Sequence, residues 1–103
     1  MRESLERLLR ALDLINEEYF ANLVRNALAG PSEQITEFLV SNELWGGAGS
    51  IADQAGVSLD REMRRPIEAT LIELGEEQIR NGITNIRTRG WVDAFRQWQR
   101  TGI

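Results

Sequence analysis

The sequence predicts an all-α fold: a small single-domain bundle of about five helices, with a glycine-rich corner loop between the third and the fourth. Three observations predict it. Long segments repeat apolar residues at the i, i+3, i+4, i+7 spacing that gives a helix one buried stripe. No segment alternates with period two for long enough to be a convincing strand, and residues 83–87 come nearest. Finally, three of the nine glycines and one of the three tryptophans fall within residues 44–53, where the backbone must do something no helix does.

The elements follow in order. A first helix is expected over residues 3–15, with Leu5, Leu8, Leu9, Leu12 and Ile15 on one stripe. A second, residues 17–29, repeats the pattern with Phe20, Leu23, Val24, Ala27 and Leu28, and carries Glu17 and Glu18 in its first turn. Asn16 is the expected break; if it turns, the two form an antiparallel hairpin, and if not, one bent rod. Gly30 as a left-handed cap and Pro31 in a new first turn mark a stop and restart. The third helix, residues 32–42, buries Ile35, Phe38 and Leu39. The glycine loop and a short turn over residues 50–55 follow. The fourth helix, residues 59–81, has Ser58 as its expected N-cap and Met63, Ile67, Leu71, Leu74 and Gln78 as its inner line. Within it, Pro66 should bend the helix or mark its true start, and Gly75 should mark a close approach by a neighbour. A connector over residues 83–88 leads to a last helix near residues 88–100, with Trp91, Phe95 and Trp98 on one stripe.

Composition narrows the function. At 103 residues, one domain (1–103) with one modest core is expected. Cysteine and histidine are both absent, which removes thiol nucleophiles, thiolate metal sites, the usual zinc ligand and the usual general base. The expectation is therefore a protein that is not an enzyme and takes no metal or other cofactor. There is no run of about 18 apolar residues to span a membrane and no signal-peptide pattern at the start, so a cytoplasmic protein is expected. All twelve basic residues are arginine, read here as the codon bias of a GC-rich bacterial genome.

Charge is unevenly spread. Residues 1–60 hold ten acids against four arginines, and residues 61–103 hold six acids against eight. An acidic front half points to a basic protein partner rather than to nucleic acid. The candidate partner-binding residues are Asp13, Glu17, Glu18, Glu33, Glu37 and Glu43. The carboxylates Glu73, Glu76 and Glu77 flank the apolar line of the fourth helix and read as a solvated face rather than a two-metal site. The Trp91, Phe95, Trp98 stripe, with Arg87, Arg89, Arg96 and Arg100 around it, reads first as a docking surface for the last helix. As a binding surface, it keeps weak nucleic-acid binding as an alternative.

In the loop, Trp45 is expected to plug the core while Gly46, Gly47 and Gly49 let the chain turn beneath it. Ser50 and Asp53 have capping-box spacing. The spacing matches neither a phosphate-binding P-loop nor a dinucleotide fingerprint. A structural corner is the main reading; partner recognition and anion binding by backbone N–H groups are the alternatives.

The segment Phe38-Leu39-Val40-Ser41-Asn42-Glu43-Leu44-Trp45-Gly46-Gly47-Ala48-Gly49-Ser50-Ile51-Ala52-Asp53 resembles a family of short uncharacterised bacterial proteins. Their shared core is aromatic-Gly-Gly-Met-Gly-Ser-Leu-Asn-Asp, placed between two amphipathic helices and a long one. The resemblance covers residues 4–80; this chain departs from it at Ala48 and Ala52, and the tail with its two tryptophans lies outside. Some similar small acidic proteins are neighbours of secreted toxins, so the resemblance implies, by association, an immunity or antitoxin-like role toward a toxin. A homodimer is also compatible with this reading.

Overall fold

The computed structural model describes residues 1–102. Those residues form seven helices and no strand: α1 (Arg2–Leu14), α2 (Glu18–Ala29), α3 (Ser32–Leu39), α4 (Asn42–Trp45), α5 (Ile51–Gln54), α6 (Arg61–Arg80) and α7 (Thr88–Thr101). The all-α expectation holds. The count exceeds five because the segments flanking the glycine loop each close into one short helical turn.

Asn16 is a true turn. It adopts φ +59°, which asparagine tolerates better than most residues. Its N–H donates to the Asp13 carbonyl and that of Glu17 to the Leu12 carbonyl, both at 3.1 Å, the paired bonds of a Schellman closure. The chain therefore folds back as a hairpin, and α1 packs along both α2 and α6.

The stop at Gly30 works differently from the expectation. Gly30 is extended (ψ −179°), and Pro31 is the residue before α3 rather than its first turn. The third helix is also shorter than expected, ending at Leu39. Ser41 breaks it: its hydroxyl donates to the Phe38 carbonyl at 2.6 Å and accepts from the Leu44 N–H, so it closes α3 and caps α4.

Helix α6 is the axis of the fold, about 30 Å long at 1.5 Å per residue, packed between α1 and α7. Its N-cap is Asp60, whose Oδ1 accepts from the Met63 N–H at 3.0 Å, and not Ser58. Met63 then falls on the outside, half exposed, while Ile67, Leu71, Leu74 and Gln78 are buried as expected. The helix runs unbroken through the exposed Pro66, which lacks only the one N–H that would have reached the Glu62 carbonyl. Gly75 does mark a close approach. A Cβ there would collide with Cγ2 of Val92 on α7 and come within 3.2 Å of Cη2 of Trp45.

The core gathers Leu5, Leu8 and Leu12 of α1, Phe20 and Val24 of α2, Trp45 of α4, Leu71 and Leu74 of α6, and Val92 and Phe95 of α7, among others. On α7 the stripe divides. Phe95 is fully buried, and half-buried Trp91 and Trp98 lie against it at 5.5 Å between ring centroids.

Candidate functional site

The C-terminal half of α2 and the chain from α3 into α4 leave a groove between them of about 390 Å³. Leu23, Asn26 and Ala27 form one wall. Gln34, Glu37 and Phe38 form the other, closed by Ser41 and Glu43. The helix period explains the second wall, since residues 34, 37, 38 and 41 recur on one side of a helix and its continuation. Phe38 and Ala27 belong to the core, and Leu23 packs against it. The floor is thus apolar, while the exposed Glu37 and Glu43 stand at the edge.

These two carboxylates come from different helices and converge on one groove. Glu33 lies one turn before Glu37 on α3 and extends the same acidic side. Glu17 and Glu18 sit at the opposite end of α2 from the groove wall and do not line it. Asp13 is sequestered: both of its oxygens accept from Nη2 of Arg25, at 3.1 and 3.0 Å. Among the described residues, no cation lies within ion-pair distance of Glu17, Glu18, Glu33, Glu37 or Glu43.

Four of the five acids of α6 contrast with these. Glu68 faces Arg64 (3.5 Å), Glu73 faces Arg7 (2.5 Å), Glu76 faces Arg96, and Glu77 faces the N-terminal ammonium (3.5 Å). Glu73, Glu76 and Glu77 therefore stay on the solvated surface, as expected, and there bridge α6 to α1 and α7. The Ser4 hydroxyl donates to Glu77 at 2.7 Å, and that bond, with the ammonium nearby, holds the carboxyl below the usual glutamate range. Among the described residues, no three acids gather as metal ligands would.

The glycine loop is built inward. Trp45 is fully buried, and its Nε1–H donates to Oε1 of Gln78 at 3.0 Å. The Gln78 amide in turn donates to the Leu39 carbonyl (2.9 Å) and the Ile83 carbonyl (2.8 Å). Trp91 donates to the Trp45 carbonyl at 3.0 Å. Two tryptophans and one glutamine thus tie α3, α4, α6 and α7 together.

Beyond Trp45, Gly46 presses so close to Asn42 that a Cβ would lie 2.6 Å from the Asn42 Cα, and Gly49 takes φ +89°. Gly47 passes beside the Arg87 guanidinium. The capping spacing is realised: Ser50 Oγ accepts from the Asp53 N–H, and Asp53 Oδ2 accepts from the Gly49 N–H, both at 3.1 Å. Hydrogen bonds from the Gln54 amide and from Gly49 hold the Asp53 carboxyl below its ordinary value. The N–H groups of Gly46 and Ser50 go to the Asn42 and Gly47 carbonyls. A carboxylate of the chain itself thus takes the Gly49 N–H, and two further N–H groups of the loop are bonded within it.

Sequence reasoning passed over Glu68. It is only 5% exposed, and burial raises its carboxyl above the ordinary value against the opposing pull of Arg64, Gln99, Arg61 and Arg65. A signal was present: Glu68 lies seven residues before Gly75, two helical turns along the side on which α7 packs.

Comparison of the chain with protein-family models, with curated proteins and with solved structures returned no match. Among the described residues, no helix is long and apolar enough to cross a membrane.

Proposed function

We propose that this chain is a non-catalytic protein-binding module that receives a basic segment of a partner protein in the groove between α2 and α3–α4. The observation that carries the reading is the convergence of Glu37 and Glu43, both exposed and without an internal cation, over a floor of Leu23, Ala27 and Phe38. An arginine or lysine side chain lays its apolar stem on such a floor and its charge against the rim. Glu33 prolongs the field along α3, and Glu17 and Glu18 add to its range, which favours fast association with a cationic surface.

In its most concrete form the module is an immunity or antitoxin-like inhibitor of a basic toxin in a bacterial cytoplasm, the role that the resemblance of the Trp45–Asp53 motif implies. The test is affinity capture from native lysate with wild-type protein and with the double variant Glu37→Arg, Glu43→Arg. Wild type should retain a basic partner in a salt-sensitive manner, and the double variant should lose it. Equal capture by both proteins, or capture of no protein by wild type, refutes the reading.

A further inference from the structure

The connector before α7 carries a projecting turn at residues 85–88. The Thr88 N–H donates to the Asn85 carbonyl at 3.1 Å. The Asn85 N–H donates to the Thr88 hydroxyl, and the Arg87 N–H to Asn85 Oδ1, both at 2.9 Å. The Asn85 amide fastens the turn to the bend between α3 and α4, donating to the Val40 carbonyl at 2.9 Å and to Asn42 Oδ1 at 3.0 Å. Ile86 sits at the tip.

Ile86 is 94% exposed. Single apolar side chains on a surface are common, but this one is held out. Asn85 on one side of it is bonded to the bend, and Thr88, which closes the turn, is fully buried. Val40, to which the turn is tied, is exposed as well.

Charge surrounds the tip. Arg87 and Arg89, at the start of α7, are exposed, and among the described residues no acid lies within ion-pair distance of either. Helix α7 also lacks the first-turn acid that α1, α2, α3 and α6 each carry, so these cations meet the positive end of the helix dipole uncompensated. The projection is therefore apolar at its tip and cationic beside it. The groove between α2 and α3–α4 is the converse, with an apolar floor that includes Leu23 and Phe38 and with the unpaired Glu37 and Glu43 at its edge.

We propose that the Ile86 turn seats in the acidic groove of a second copy of this chain. Ile86 lies on the floor of Leu23 and Phe38, and Arg87 and Arg89 meet Glu37 and Glu43. Turn and groove flank one bend, the turn bonded to Val40 and Asn42 and the groove closed by Ser41 and Glu43. A two-fold axis beside that bend engages both contacts at once, and assembly stops at a dimer. A contact of this size belongs with weak, transient complexes. The pairing rests on the groove's preference for a basic segment, as proposed above, and adds regulation to it: a basic partner must displace the second copy.

Sedimentation velocity of the full chain from about 10 µM to about 1 mM should show a monomer–dimer equilibrium and nothing larger. Ile86→Asp, at an exposed position, should weaken dimerisation by at least about tenfold, and Arg100→Gln, away from both surfaces, should leave it unchanged. A charge exchange tests the pairing itself. The double variant Arg87→Glu, Arg89→Glu should be monomeric, and so should Glu37→Arg, Glu43→Arg, because like charges meet in each homodimer. An equimolar mixture of the two should dimerise again, because both contacts then pair opposite charges. The proposal is overturned by a wild type that stays monomeric at about 1 mM, by growth past the dimer, by dimerisation that Ile86→Asp leaves intact, or by a mixture that stays monomeric. A monomeric wild type that still captures a basic partner overturns self-pairing alone. A dimer that captures no partner protein overturns the proposed function alone.

Discussion

Replacing Gln78 by leucine tests how the glycine loop is held. The volume is nearly kept, so the change is one of hydrogen bonding. Two groups deep in the core lose their partner: the Trp45 indole N–H and the Leu39 carbonyl, bonded now at 3.0 and 2.9 Å. The Ile83 carbonyl, bonded at 2.8 Å, is only partly buried and can turn to water. Each deeply buried group left unsatisfied costs about 1–3 kcal/mol. Against this, the buried leucine contributes about 1.5–3 kcal/mol of apolar burial at most. The net expectation is a loss of about 2 kcal/mol, or a fall in Tm of roughly 8–16 °C for a chain of this size. Urea unfolding followed by tryptophan fluorescence should show a lower midpoint with an unchanged slope. Trp45→Phe, which removes the orphaned N–H, should then cost less in the Gln78→Leu background than in wild type. A loss below about 0.5 kcal/mol, within the range of an ordinary surface substitution, or strict additivity of the two changes would refute the reasoning.

Three further outcomes are expected. Gly75→Ala raises helix propensity by roughly 1 kcal/mol but drives a Cβ into Val92 Cγ2, and overpacking of about 1–3 kcal/mol should win; Val92→Ala in the same chain should recover part of the loss in a thermal melt. Glu68→Gln should raise the unfolding midpoint at pH 7, because burial holds this carboxyl above its ordinary 4.5 and makes its ionised form costly in the folded state. The stabilising effect of its protonated form is lost as pH rises through that folded value, so the advantage of glutamine in a urea titration should close below about pH 4.5. Asp53→Asn should act in the opposite pH direction. The folded-state value is depressed, so its contribution is present above the ordinary 3.8 and disappears as pH falls through the folded value. The gap in unfolding midpoint between wild type and Asp53→Asn should therefore narrow as pH falls below 3.8.

Much of the fold was legible because its signals are local. Leu5, Leu8 and Leu12 announce one helix face, and Ser50 with Asp53 announces a helix start three residues before any contact is known. Gln78 could be placed inside because it fell in step with Leu71 and Leu74. Other positions resisted for equally physical reasons. Ser58 and Asp60 are both good caps two residues apart, and only the packing of α6 decides for Asp60 and so turns Met63 outward. Nothing near Val40 resembles a helix stop, since the break there depends on the Ser41 hydroxyl reaching both Phe38 and Leu44. The candidate site was legible as a set of charges but not as a place. That Asp13 is neutralised by Arg25 is a contact across the hairpin. That Glu37 and Glu43 share a groove depends on the bend between α3 and α4.

That bend connects the glycine loop to the groove. Leu39, at the end of α3, is anchored by Gln78. Val40 and Asn42, on either side of Ser41, both accept from the Asn85 amide at 2.9 and 3.0 Å. Trp45, three residues past the start of α4, is pinned at its indole and its carbonyl. Glu43 lies between these fixed points, so its carboxylate is presented from a backbone with little freedom. A rigid rim would matter for the proposed binding by charge, because ordering a mobile glutamate on binding would offset much of a modest ion-pair gain. On the proposed function, the glycines would serve recognition at one remove: Gly46 lets the chain leave Trp45 against Asn42, and Gly49 returns it to the Ser50 cap. Any side chain at Gly46 would push Asn42, and with it Glu43, away from the groove it edges.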